Sequence, residues 1–226
     1  RELPRRPLMA GEEGVRLSLA GAQDKIAVHV SDERISLMLA TAPSTHILKP
    51  AISHFEGVVF NEVCCMKLAS AVGLSVANVE VRQVEDIDYL LVERYDRKRS
   101  KSGEVERLHQ EDFCQALAVP PEMKYQSEGG PSLKQCFSLL REVSTMPVVD
   151  LQRLLDTVVF NALIGNHNAH AKNFSLIYEA GSTMRLAPLY DLVSTVYYPG
   201  LSSKMAMRVG GEYESDKLFT RHFEKL

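Results

Sequence analysis

Six side chains, taken in chain order, have the types and spacing to do chemistry together. Gly21 sits in a turn between two apolar runs, Lys49 closes another run, Glu62 follows it, and Asn168, Asn173 and Asp191 come much later. A glycine turn can drape backbone N–H groups over phosphates, a lysine can neutralise them, and a glutamate can orient that lysine. Asn and Asp oxygens suit a hard cation such as magnesium. Phosphoryl transfer from ATP needs these parts in this order. Each alone has an ordinary structural reading: a plain turn, a strand-end lysine reaching solvent, an exposed helix glutamate, an Asp capping the helix after it. Only their combination points to a nucleotide.

The stretch "NALIGNHNAHAKNFSLIY", residues 161–178, is dense in amides where an acid is expected. Protein kinases place a catalytic Asp, a metal-binding Asn five positions later, and a metal-binding Asp after a hairpin. Asn173 and Asp191 fit the two metal positions, but five residues before Asn173 stands Asn168. An amide can hydrogen-bond yet cannot take a proton from a substrate hydroxyl. Asn166 is expected to serve the loop's own structure. A competing reading takes His167 and His170 as ligands of a metal-dependent nuclease, which leaves Lys49, the glycine turn and Asp191 without a purpose.

These residues require a scaffold of short strands followed by helices. Residues 17–92 read as strands: "RLSLAGAQDKIAVHV" around the turn, then "RISLMLA", "THILKP", "SVANVEVRQV" and "DYLLVERY". One helix interrupts them, "GVVFNEVCCMKLASAVGLSV", with Val59, Val63, Met66 and Val72 near its apolar stripe and Gly73 as its C-terminal cap. Beyond Arg97 the texture turns helical: "QEDFCQALAV", "PSLKQCFSLLREV" and "MPVVDLQRLLDTVVFNALIG", the last starting at Thr145 or Pro147. A Pro/Gly-rich loop, "PPEMKYQSEGGPS", separates the first two. "FSLIYEAGSTMRLAPLYD" then forms a hairpin around "EAGS". The expected class is α+β with two lobes, a β-rich one over residues 1–97 and a helical one over 98–226, with a cleft between them.

At 226 residues the chain can bury a sizeable core without staples. A net charge of −3 with mixed signs excludes binding to a polyanion through bulk charge. The one basic cluster, "RYDRKRSKS", reads as a solvated, mobile loop. Cys64, Cys65, Cys114 and Cys136 show no metal spacing and read as reduced core residues, which points to the cytoplasm. No apolar run is long enough to span a membrane, and the polar start lacks a signal peptide's apolar core. The missing initiator Met points to a fragment, a processed chain or trimmed numbering.

At these residues the chain resembles the HipA-like serine/threonine kinase family, the toxin halves of bacterial toxin–antitoxin pairs. The matching segments are "SLAGAQDKIAV", "STHILKP", "NEVCCMKLASAVGL", "LVERYDR", "HQEDFCQALAVPPEMKYQSEGGPS", "GNHNAHAKNFSLI" and "RLAPLYDLVST", in uninterrupted order from about Arg16 to Met207. The resemblance implies a protein-kinase-like fold with ATP and Mg2+ in the interlobe cleft. By position, Ala20, Gly21, Ala22, Gln23, Asp24 and Lys25 form the phosphate-covering loop, and Lys49 contacts phosphate. Glu93, Arg94 and Tyr95 form the adenine hinge. His170, Ala171, Lys172 and Asn173 line the catalytic loop, and Tyr190 and Asp191 complete the metal side. Ser18 takes the place of a serine whose autophosphorylation ejects the loop.

The family's catalytic base is an Asp at position 168, so a chain with Asn168 is expected to be inactive or nearly so. The near-isosteric exchange suggests an engineered substitution, with a natural pseudokinase as the alternative. The resemblance further implies a HipB-like helix-turn-helix antitoxin bound to operator DNA, an aminoacyl-tRNA synthetase as substrate, and growth arrest as outcome. Members usually carry an N-terminal subdomain, supplied in split systems by a small HipS-like protein, and a longer helical C-terminus than this chain has.

Overall fold

The computed structural model describes residues 25–31, 34–37, 42–52, 55–100 and 104–226. Ser18 and the stretch Ala20 to Asp24 lie outside the described residues, so the expected first strand and glycine turn do too. Among those described, residues up to Cys64 together with Ala77–Arg107 make one compact unit, and Cys65–Val76 with Leu108–Leu226 make a second.

In the first unit five strands pair antiparallel in the order β2-β1-β3-β5-β4: β1 (Ile26–Ser31), β2 (Arg34–Leu37), β3 (His46–Pro50), β4 (Val79–Val84) and β5 (Ile87–Glu93). Period-two alternation sends Ile26 and Val28 inward, where they meet Leu91 and the half-buried Leu48. β3 lies between β1 and β5, with Lys49 opposite Leu90, and this central place buries the lysine's strand on both edges.

Helix α1 (Val58–Ala71) begins in the first unit and ends in the second. Val59, Val63 and Met66 are buried as expected, but Val72 is 62% exposed and Ala69 takes its place in the stripe. A 3.6-residue period from Met66 reaches Ala69 or Ser70, so Val72 falls out of phase. Gly73, at φ +89°, ends the helix: its N–H donates to Ser70 O at 3.0 Å and that of Leu74 to Ala69 O at 3.0 Å. This pair of bonds is the Schellman cap, and it needs the left-handed backbone that glycine adopts freely.

Beyond Arg97 three strands come before any helix. β6 (Arg97–Arg99) pairs with β7 (Val105–Arg107), both in the first unit, so the basic cluster is in part a hairpin and not a loop. Much of its charge is also spent. Asp96, buried, takes Nε and Nη2 of Arg94 at 2.9 and 2.7 Å, and Nη1 of Arg97 at 2.8 Å.

After the end of α1 the second unit continues with β8 (His109–Asp112), whose residues Gln110, Glu111 and Asp112 were expected to open a helix. β8 pairs with β9 (Ser175–Glu179), and β9 with β10 (Thr183–Leu186), in an antiparallel sheet. Asp112 is both the last strand residue and the cap of the single-turn helix α2 (Phe113–Ala116), through a capping box with Gln115. Another capping box, Ser132 with Gln135, starts α3 (Leu133–Val143). Pro147 is the first residue of α4 (Pro147–Leu163), a position where its missing N–H costs nothing. The hairpin β11 (Lys204–Val209) and β12 (Glu212–Glu214) and the short α5 (Thr220–Phe223) complete the unit. Phe113, Leu140, Leu154 and Leu176 lie at the centre of its core. Among the cysteines Cys65, Cys114 and Cys136 are buried, whereas Cys64 is exposed, correcting the expectation that all four are core residues. Among the described residues no helix is long and apolar enough to cross a membrane.

Candidate active site

In the first unit, Lys49 on β3 and Glu62 on α1 form a buried ion pair, Nζ to Oε1 at 2.7 Å. Glu62 is 2% exposed, so the exposed-glutamate reading fails. A buried charge persists only when paired, and each of these two supplies the other's partner. Lys25 directly precedes β1.

At the end of β5, Glu93 accepts from Asn78 Nδ2 at 2.8 Å, and its N–H donates to Asn78 O at 2.9 Å. The Arg94 N–H donates to Thr45 O at 2.9 Å. The Arg94 guanidinium is turned onto Asp96. Tyr95 occupies the turn between β5 and β6.

In the second unit the loop after α4 is tied by neutral amides. Asn166, buried, donates Nδ2–H to Asn161 Oδ1 at 2.8 Å and accepts from the Asn168 N–H at 3.1 Å. Its own N–H reaches Asn161 O at 2.8 Å. This accounts for Asn166 as loop structure. The Asn168 carbonyl then accepts from the His170 N–H at 2.8 Å and from Asn173 Nδ2 at 3.3 Å. Asn173 closes a 3-10 turn with Ala171 and Lys172, and with its NH2 turned toward residue 168 its Oδ1 is the atom it can offer a cation.

The Asn168 side chain is exposed, and its Oδ1 accepts the Tyr125 hydroxyl at 2.7 Å. Burial and the charge of Glu128 hold the Tyr125 phenol above its ordinary pKa, so it keeps its proton and donates. The Tyr125 ring meets His170 edge-on, with centroids 5.4 Å apart. His170 is buried, and burial, reinforced by the charge of Lys124, lowers its pKa to about 4. Its Nδ1 has no hydrogen-bond partner among the described residues, an unusual state for a buried polar atom.

Asp191 adopts φ +55°, a left-handed backbone that is costly for a non-glycine residue and tends to mark functional positions. Its charge is close enough to act on His170. Beside it the Tyr190 hydroxyl donates to Lys172 O at 2.9 Å and accepts from Ser175 Oγ at 2.6 Å, bracing the loop from below. The Lys172 ammonium pairs with Asp112 at 2.9 Å and so anchors the loop to β8.

His167 is a structural residue. Nδ1–H donates to Ser202 O at 3.1 Å, and Nε2 accepts from Ser215 Oγ at 2.8 Å. With both ring nitrogens engaged it has none to give a metal, which removes the footing of the nuclease reading. Among the described residues no three His, Cys, Asp or Glu side chains gather to hold a metal ion. Tyr125 and Asn161 were missed by sequence reasoning. A lone aromatic in a loop braced by "GG" was the available signal for the first, and an amide in a helix's last turn for the second.

Comparison with known proteins agrees with this arrangement. Residues 17–226 match the family described as the HipA-like C-terminal domain. A Sinorhizobium fredii protein named "Putative kinase Y4mE" is 56% identical over 208 residues, 92% of this chain and 49% of its own length. The serine/threonine-protein kinase toxin HipA of Shewanella oneidensis is 34% identical over 217 residues, 90% of this chain and 49% of its own length. The chain therefore spans about half the length of these curated relatives. The solved complex of Shewanella oneidensis HipA with HipB and its operator DNA superposes with a TM-score of 0.82 at 32% identity, over 96% of this chain and 53% of that one. The Helicobacter pylori proinflammatory kinase CtkA shares the fold, with a TM-score of 0.53 at 16% identity over 76% of this chain and 58% of that one. A kinase-like α+β fold, the order of the matched segments and the Lys49–Glu62 pair converge on one assignment: this chain belongs to the HipA-like C-terminal domain family.

Proposed function

We propose that the chain is the core of an ATP- and Mg2+-dependent serine/threonine protein kinase toxin, disarmed at its catalytic base. The buried Lys49–Glu62 pair carries this reading, because a fold that hides a lysine with a dedicated carboxylate holds that ammonium at one fixed point. In the first unit Lys49 takes phosphate oxygens, and the segment Glu93, Arg94 and Tyr95 serves as the hinge for the adenine.

In the second unit Asn173 and Asp191 are the metal-holding pair, and two protein oxygens suffice for a cation that keeps waters and phosphates as its other ligands. When bound, magnesium neutralises charge on the transferring phosphate. The residue at 168 receives the proton of the substrate hydroxyl as its oxygen bonds to the γ-phosphorus and the bond to ADP breaks. An amide cannot do this, and loss of a general base lowers rates by on the order of 10²–10⁴.

By analogy with the Shewanella complex, the partner is a HipB-like antitoxin carrying operator DNA. The substrate we propose is an aminoacyl-tRNA synthetase, whose phosphorylation would halt translation. A second reading is favoured by Asn168 itself: an ATP-holding pseudokinase that works by partnering the antitoxin.

Calorimetry with ATP and magnesium, run beside phosphate transfer by the Asn168→Asp variant in a proteome extract, separates the two. ATP binding together with a phosphorylated synthetase supports the kinase. ATP binding with no phosphoprotein supports the pseudokinase, and no ATP binding defeats both.

A further inference from the structure

The loop "PPEMKYQSEGGPS" has no part in the reading above, yet it is folded with more constraint than a connector needs. The Tyr125 carbonyl accepts from the N–H groups of Glu128 and Gly130, at 3.0 and 2.9 Å. A Cβ on Gly130 would lie 2.7 Å from Tyr125 O and 2.8 Å from Lys124 C, so the turn closes on itself with no room for a side chain. Gln126 Oε1 accepts from the Arg208 N–H at 2.8 Å, which pins the loop to β11. This bracing holds the Tyr125 hydroxyl on Oδ1 of Asn168 at 2.7 Å.

We infer that Tyr125 is a positioning residue for the side chain at position 168. Its ring is fixed edge-on to His170, and its hydroxyl selects one of the two atoms at the end of that side chain. With an amide there, Oδ1 is held by Tyr125 and Nδ2 is turned toward the approaching substrate, presenting a donor where an acceptor is needed. With a carboxylate, one oxygen takes the same bond, strengthened by charge, and the other is aimed at the substrate hydroxyl. The catalytic consequence depends on the phosphoryl-transfer reading of the site, whereas the contact itself does not.

Tyr125→Phe keeps the ring and removes only the donor. In the chain as it stands, side-chain amide NMR signals of Asn168 should move in this variant while those of Asn161 and Asn166 stay. In the Asn168→Asp background, Tyr125→Phe should lower turnover about tenfold, the worth of one hydrogen bond, with KM for ATP within about twofold. Unmoved Asn168 signals overturn the role whatever the activity does, and so does a rise in KM for ATP that matches the loss of turnover. If Asn168→Asp transfers no phosphate, the kinase reading fails, and the amide spectrum still decides for or against Tyr125.

Discussion

Lys49 Nζ and Glu62 Oε1 meet at 2.7 Å with both side chains almost fully buried, one from the middle strand of a five-stranded sheet and one from the first turns of α1. Removing one partner strands the other's charge. Glu62→Ala should therefore destabilise by about 3–5 kcal/mol, and Lys49→Met/Glu62→Leu should recover most of that. Chemical denaturation measures both, and calorimetry should show that neither variant binds ATP.

Asp150, at the start of α4, is fully buried and bonded to Arg185, Ser144, Arg153 and the Leu186 N–H. Burial alone would raise its pKa, but the bonds from Arg185, Ser144 and the backbone win and hold it below the ordinary carboxylate value. The unfolded chain thus takes up this proton at higher pH than the folded one. The stabilisation is fully present above the unfolded value, near 4, and is lost as pH falls through the folded one. Melting curves between pH 6 and 2 should show the loss, and Asp150→Asn should flatten it while lowering stability at neutral pH.

Asn166→Ala leaves Asn161 Oδ1 buried without its donor and the Asn168 N–H without its acceptor. A cost of about 1–3 kcal/mol is expected. Hydrogen exchange should quicken at Asn168 and His170 before any change reaches β9.

Gly130→Ala forces a side chain into backbone atoms of its own loop, with an expected cost of about 1–3 kcal/mol. The structural mark should be local: Tyr125 leaves Asn168, while the α3 cap at Ser132 persists. Crystallography or tyrosine side-chain NMR would show it.

The elements most legible in the sequence were those whose stabilising contacts are local. Helix α3 announces itself by its capping residue and apolar period, α4 by Pro147 at its first position and the same period, the β9–β10 hairpin by its glycine turn, and the end of α1 by Gly73. What escaped depends on partners far along the chain. "HQED" becomes a strand only because β9, more than sixty positions away (Gln110 opposite Ile177), supplies its hydrogen bonds. Arg94 and Arg97 look solvated until Asp96 is seen buried between them. The Lys49–Glu62 pair is the exception among long-range contacts: the order of chemical parts along the chain already set that glutamate against that lysine. Tyr125 was hidden for another reason: a hydroxyl's target is set by loop geometry, which residue types describe poorly.

The loop that carries position 168 is held from Asn161 to Asn173 by bonds between amides and backbone groups. None of these groups titrates in water, which leaves the Lys172–Asp112 pair as the charged tie that anchors the loop to β8. A charge placed at residue 168 by substitution enters a scaffold whose amide-to-backbone bonds carry no net charge of their own. The change from inert to reactive can then be confined to one atom, with no refolding of the loop around it.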